Sequence, residues 1–262
     1  MKKFFLIKQY FAYLLRAHTA HGIHSPFVFA FINEVLKDKR HFYAFDEIKK
    51  LRQQMLSDET LLTIDDFGAG SHKQNHLQRK VKDIAATAGR TDKLGRLLFR
   101  IVHRFQPRQM VELGTSMGLG SAYLAMAAPD AQLTTIEGSP EVAAQAAKHF
   151  AQLSVKNIRQ QTGNFDLVLQ DVFRVLGSVD LLFVDGNHRK EPTLQYFAEA
   201  LPYLHENSIV IFDDIHWSKG MHEAWQQIKA NEQVTLSIDL FYFGIVFFQK
   251  AFREKQDFVL RY

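Results

Sequence analysis

Between residues 109 and 213 the chain alternates short apolar runs with longer amphipathic stretches, and this alternation restricts the fold more than any other feature. The apolar runs lie near 109–113, 132–136, 157–160, 180–185 and 208–213. Helix-like stretches fill the gaps at about 120–128, 140–152, 167–176 and 191–204. Strands separated by helices predict a parallel sheet covered on both faces. Their near-continuous apolar character agrees, because such strands are buried on both sides. The tail differs. Residues 234–241 and 245–249 are two β-rich runs around a short turn containing Gly244, which predicts a closing antiparallel hairpin.

Residues 1–60 read as helices. Phe4, Ile7, Phe11 and Leu14 keep the spacing of one helical face, with Lys2, Lys3, Lys8 and Arg16 around it. That face is expected to pack over the α/β domain or across a dimer; attachment to a membrane surface is the other use of a basic amphipathic helix. His24-Ser25-Pro26 predicts a stop and restart, with Ser25 as cap, Pro26 in the first turn and a second helix over about 27–36. Residues 61–72 read as an extended piece ending in a flexible turn. A polar helix with Lys73, Arg79, Lys80 and Lys82 is expected next, then an amphipathic helix over 97–105 stopped by Pro107. The expected division is a helical cap and lid at 1–95 and an α/β domain at 96–262. His18, His21 and His24 recur every three residues, but no acid or cysteine completes a metal site with them.

The run Gln109-Met110-Val111-Glu112-Leu113 leads into Gly114-Thr115-Ser116-Met117-Gly118-Leu119-Gly120, where a helix begins. Glycines permit the tight turn, and a helix N-terminus supplies free N–H groups. Such a loop fits a dinucleotide or S-adenosylmethionine (SAM). Three details separate them. Glu112 sits on the strand itself, where a carboxylate would disfavour a pyrophosphate but suit the ammonium of the methionine half of SAM. The spacing lacks the G-x-G-x-x-G order of dinucleotide sites. The next strand ends in Glu137, whose carboxylate could accept from both ribose hydroxyls. A second glycine loop, Asp66-Phe67-Gly68-Ala69-Gly70-Ser71, has no acid-ended strand after it and reads as a lid or substrate-side loop.

On these residues the chain resembles the class I SAM-dependent methyltransferases. The stretch from Glu112 to Ser121 matches their first motif and the one from Thr135 to Ser139 their second, and the resemblance covers roughly residues 95–250. It implies a Rossmann-like, seven-stranded, mostly parallel sheet with an antiparallel last strand and helices on both faces. It implies SAM as cofactor, held by Glu112, Gly114, Thr115, Ser116, Gly118, Glu137 and Gly138, with Gly163 and Asn164 by the adenine and Asp185 completing the set. Asn164 stands where the family commonly has an acid.

The fourth strand ends at Asp185-Gly186-Asn187-His188 and the fifth at Asp213-Asp214-Ile215-His216-Trp217. Carboxyl ends of neighbouring parallel strands meet at the ligand crevice. Asp185, Asp213 and Asp214 could therefore converge as a hard oxygen site suited to Mg²⁺. This is similar to the metal-dependent, catechol-type O-methyltransferases, whose metal acids lie at the ends of these strands. The resemblance implies a bound cation that lowers the pKa of an acceptor hydroxyl and orients it. The Gly186-Asn187-His188-Arg189 stretch departs from the catechol type and opens a metal-free route with His188 as general base. Asp185, His188 and Asp214 are thus the candidate catalytic residues. His216 reads as a supporting or surface histidine, and Trp217 as a pocket wall or core residue.

The chain has no cysteine, which excludes disulfides and thiolate metal sites. No apolar run approaches the ~18 residues of a membrane span, and no leader is apparent, so a cytoplasmic location is expected. With 32 basic against 28 acidic residues the chain is mildly basic. The expected reaction is O-methylation of a small hydroxylated acceptor, and a homodimer is the expected assembly if the chain associates. An RNA (tRNA) methyltransferase, motivated by Arg79, Lys80 and Lys82, and a non-catalytic SAM-binding protein are the rivals. A nicotinamide-dependent oxidoreductase fits the loop spacing least.

Overall fold

The computed structural model describes residues 2–65, 76–87 and 91–262, so the glycine loop at 66–71 and Lys73 lie outside the described residues. The chain gathers into two compact units, Met1–Asn33 with Leu169–Tyr262, and Glu34–Val168.

The first unit opens with helix α1 (Lys2–Arg16). Within the single chain its apolar face is exposed and not packed over the α/β domain, with Phe4 at 75% and Phe11 at 63%. Tyr13, off that face, does the packing. It is buried, its hydroxyl donates to the Leu260 carbonyl at 2.6 Å, and its ring lies against Phe241. One aromatic residue with a polar tip can bury area and satisfy a backbone acceptor together, which the wholly apolar face cannot do. Helix α2 (Pro26–Phe31) starts as expected, with Pro26 in its first turn. Ser25 stands at the cap position, but its hydroxyl makes no capping bond. A π-turn, Ile32–Leu36, ends this stretch.

In the second unit, α3 (Tyr43–Met55) buries Phe45, Ile48, Leu51 and Met55, the stripe of an amphipathic helix. β1 (Leu61–Asp65) pairs antiparallel with β2 (His76–Lys80), and α4 (Val81–Thr87) follows. Arg79 and Lys80 therefore lie on a strand, not on the expected polar helix. The backbone groups of β1 need partners, and the returning chain supplies them. Glu59 takes up both Lys80, at 2.5 Å, and Lys82. Helix α5 (Thr91–Phe105) precedes the α/β alternation: β3 (Gln109–Leu113), α6 (Leu119–Ala127), β4 (Gln132–Glu137), α7 (Pro140–Gln152) and β5 (Ile158–Thr162). β3 and β4 pair in parallel, as do β4 and β5. Helix α8 (Phe165–Leu176) carries the chain onward.

Back in the first unit come β6 (Leu181–Val184), α9 (Lys190–Ala200) with a 3₁₀ turn at Leu201–Tyr203, β7 (Ile209–Phe212), α10 (Lys219–Ala230), β8 (Leu236–Asp239), β9 (Gly244–Phe247) and β10 (Gln256–Val259). The main sheet holds eight strands and is mixed, mostly parallel. Three belong to the second unit in the order β3-β4-β5, and five to the first in the order β10-β8-β9-β7-β6. This is the Rossmann-like architecture expected, with one strand more. The hairpin is present as β8–β9, but β9 inserts between β7 and β8 and runs against both. The final strand, β10, pairs in parallel with β8 instead of being antiparallel.

Candidate functional site

The second unit builds a cradle at the carboxyl end of β3. Gly114 (φ 102°), Ser116 (φ 48°) and Gly118 (φ 83°) adopt left-handed backbone conformations that turn the chain sharply into α6. At Gly118 a side chain is also excluded by packing, because a Cβ there would sit 2.5 Å from the Phe150 ring. The Gly114 and Thr115 amides donate to the Ile136 carbonyl at 3.0 and 3.2 Å, tying the loop to β4. The Glu137 carboxylate spans the turn, accepting from the Ser116 amide at 2.8 Å and from the Ser139 amide at 3.0 Å. Burial raises its pKa, against the pull of those amides and of the Gly138 amide.

Glu112 lies beneath the loop, 1% exposed. It accepts from Thr135 Oγ1 at 2.7 Å and from the Ser121 hydroxyl. Thr115 Oγ1 stands 2.6 Å from Thr135 Oγ1, so its hydroxyl is engaged inside the sheet. Burial pushes the Glu112 carboxyl up to about 7. Gly163 follows β5 at φ 154°, its amide donating to the Glu137 carbonyl at 2.9 Å. Asn164 opens α8, its Oδ1 accepting from the Asp166 amide at 3.0 Å, which gives it a capping role. Sequence reasoning missed His149 on α7, whose Nδ1 bonds the Met117 carbonyl at 2.9 Å and holds the loop from below. It also missed Ser121 and Thr135. A threonine facing Glu112 in strand register is a legible signal for the latter, since a buried carboxylate needs donors.

The first unit builds the acidic turns. The Asp213 amide donates to the Val184 carbonyl at 3.0 Å, joining the ends of β6 and β7. One donor atom from each of Asp185, His188 and Asp213 lies within 4.8 Å of the others, the one such group among the described residues. Asp214, expected as the third metal acid, is buried and outside that group, and His188 takes its place. Backbone geometry explains the exchange. Asn187 (φ 63°) and His188 (φ 35°) coil the turn back so that His188 Nε2 stands 3.6 Å from Asp185 Oδ1, whereas Asp214 (φ 57°) reverses the chain after Asp213. Asn187 anchors its turn by donating to the Tyr196 hydroxyl at 3.0 Å and accepting from Arg189 at 2.8 Å. Left-handed non-glycine residues persist only where surroundings impose them, and they gather at functional turns. His18, His21 and His24 form no such group among the described residues.

His216 is not on the surface. It is buried, with Nε2 2.8 Å from Asp239 Oδ2, Nδ1 3.2 Å from His222 Nδ1 and its ring stacked on Phe241. Asp239 also accepts from the Phe241 amide at 2.8 Å. The pKa of His222 is lowered, chiefly by burial and then by His216. Asp239 and His222 were not singled out in the sequence. Trp217 is half-exposed and so not a core residue.

A family model described as a methyltransferase domain matches residues 111–215. A catechol O-methyltransferase of Niastella koreensis is 28% identical over 124 residues, covering 46% of this chain and 55% of that protein. A probable O-methyltransferase of Mycobacterium tuberculosis is 29% identical over 133 residues, covering 47% and 56%. The chain thus spans about half the length of the curated relatives it matches. Among solved structures, the SAH-bound methyltransferase PaMTH1 of Podospora anserina superposes with a TM-score of 0.60 at 14% identity, covering 87% of this chain and 97% of that one. The O-methyltransferase TomG of Streptomyces achromogenes, solved with SAM, gives 0.55 at 19% identity, covering 80% and 91%. At such identities the structural likeness is one of fold. Residues 111–215 thus match a methyltransferase domain, and the chain is similar in sequence to O-methyltransferases over about half of its length.

Proposed function

We propose that this chain transfers the methyl group of SAM to an oxygen of a small hydroxylated acceptor. The observation that carries the reading is Glu137 at the end of β4, fixed by the Ser116 and Ser139 amides beside the left-handed glycine turn and above buried Glu112. The amides of Ser116, Ser139 and Gly138 use only part of the capacity of a carboxylate, leaving it able to accept from a ribose hydroxyl. Glu112 offers negative charge to the ammonium of the methionine half, directly or through water. Gly114, Thr115, Ser116 and Gly118 bring backbone close to the ligand, with Gly138, Gly163 and Asn164 on the adenosine side.

Methyl transfer forms a carbon–oxygen bond as the carbon–sulfur bond breaks, leaving a neutral thioether, and the acceptor hydroxyl must lose its proton. In this reading His188 takes that proton and Asp185, 3.6 Å away, stabilises the resulting imidazolium. The alternative use of the same turns is a divalent cation. Asp185, His188 and Asp213 fit one in number and donor type, with Asp214 next in line, and a bound cation would lower the acceptor pKa and orient the oxygen.

The test is methyl transfer from labelled SAM to a panel of catechol, phenol and hydroxy-acid acceptors. His188→Ala should lower kcat by about 10²-fold or more with SAM affinity nearly unchanged. Loss of turnover on chelation, restored by a divalent ion, would assign the turns to metal. SAM binding with no transfer to any acceptor would favour a non-catalytic binder, and transfer to tRNA with steep salt dependence would favour the RNA reading.

A further inference from the structure

We propose that α1 docks the protein on an anionic membrane surface. Its exposed apolar residues are contiguous. At about 100° per residue, Leu14, Ile7, Phe11, Phe4 and Leu15 occupy one arc roughly 100° wide. Leu15 at the far end of the helix is 89% exposed and Ile7 54%. By the same spacing Lys8 falls on the border of the arc beside Leu15. Large apolar side chains bordered by lysine match a helix lying in a membrane interface.

The side of α1 that carries Tyr10 and Tyr13 is held in place. Tyr13 is bonded to the Leu260 carbonyl, and the rings of Tyr10 and Tyr13 lie 4.9 and 5.3 Å from that of Phe241. Just past the helix, the His18 amide donates to the Val259 carbonyl at 2.8 Å and the Arg261 amide to the His18 carbonyl at 2.9 Å. The apolar arc is therefore presented on a fixed support. No described helix is long and apolar enough to cross a bilayer, so the attachment is to its surface.

Charge selects the occupant. The helix carries Lys2, Lys3, Lys8 and Arg16 and no acid, in a chain with 32 basic and 28 acidic residues. Those four cations equal the whole net charge of +4, and the remainder of the chain balances. Lys8 borders the arc, so a second copy laid face to face on it would bring like charges together across a two-fold axis with no acid on either helix to offset them. Phosphatidylglycerol or phosphatidylserine headgroups supply the missing negative charge.

The experiment is co-sedimentation of the full chain with vesicles of phosphatidylcholine alone and with added phosphatidylglycerol, alongside light scattering of the protein in solution. The chain should sediment with the anionic vesicles, little with the neutral ones, and less as salt rises. Phe4→Ser with Phe11→Ser, and separately Lys3→Glu with Lys8→Glu, should each lower partitioning about tenfold or more. Because the two phenylalanines are exposed, Tm should not move, which separates lost docking from lost folding. Absent binding to anionic vesicles, equal binding to neutral ones, or variants that bind like the parent would overturn the proposal. So would a dimer that dissociates in the phenylalanine variant, because the face would then belong to a second copy.

Discussion

Glu112 is the residue on which burial and function pull hardest against each other. Its carboxyl is pushed up to about 7 by desolvation, from 4.5 in a solvated chain. Between those values the folded chain holds a proton that the unfolded chain has released, so stability falls as pH rises across the window, by about 3 kcal/mol. Denaturant unfolding from pH 4.5 to 7.5 should show this decline, and Glu112→Gln should remove it; equal slopes in parent and variant would contradict the assignment. An ammonium placed against Glu112 favours the ionised form, so SAM affinity should strengthen as pH rises through 7. A second residue-scale prediction concerns Asp239, which serves both His216 and the Phe241 amide. Asp239→Ala leaves those donors buried and unmet, and chemical denaturation should record a loss of about 3 kcal/mol. Glu112 and Glu137 were legible because an acid at the end of an apolar strand is chemically conspicuous. Asp239 was not, because its histidine partner, His216, is 23 residues back in the chain and meets it only in the folded sheet.

At the scale of elements, the loop between β3 and α6 depends on Gly118 for two separate reasons. A side chain there must adopt φ 83° and must also displace the Phe150 ring. Gly118→Ala should cost about 2–3 kcal/mol. Phe150→Leu in the same chain should recover the steric share but not the conformational one, which denaturation of the double variant would measure. The strands of the α/β alternation were readable because runs such as Leu181–Val184 and Ile209–Phe212 are apolar throughout and bounded by turns. β2 and β10 were not. His76–Lys80 and Gln256–Val259 are short and polar, and each is a strand because a neighbour needs its hydrogen bonds, a cause that local pattern does not carry. The exchange of Asp214 for His188 in the acidic group has a similar origin, since left-handed residues in two turns decide it.

For the molecule as a whole, the alternation from 109 to 213 and the matched segment 111–215 describe the same stretch of chain. In the function we propose, SAM is held at the Glu112–Glu137 cradle and an acceptor hydroxyl is activated by Asp185, His188 and Asp213. Net charge, by contrast, belongs to one helix, which is why the mild basicity of the sequence said little about where a partner would bind. The measurement that tests the central claim most directly is thermal unfolding of the chelator-treated protein with SAM, with its demethylated product and with NAD, repeated on Glu137→Ala. At 100 times its dissociation constant a ligand adds roughly 2.7 kcal/mol of stability. The account predicts a clear upward shift with SAM and with the product, none with NAD, and loss of the shift in Glu137→Ala. An unshifted parent protein, or a shift with SAM that survives in Glu137→Ala, would contradict it.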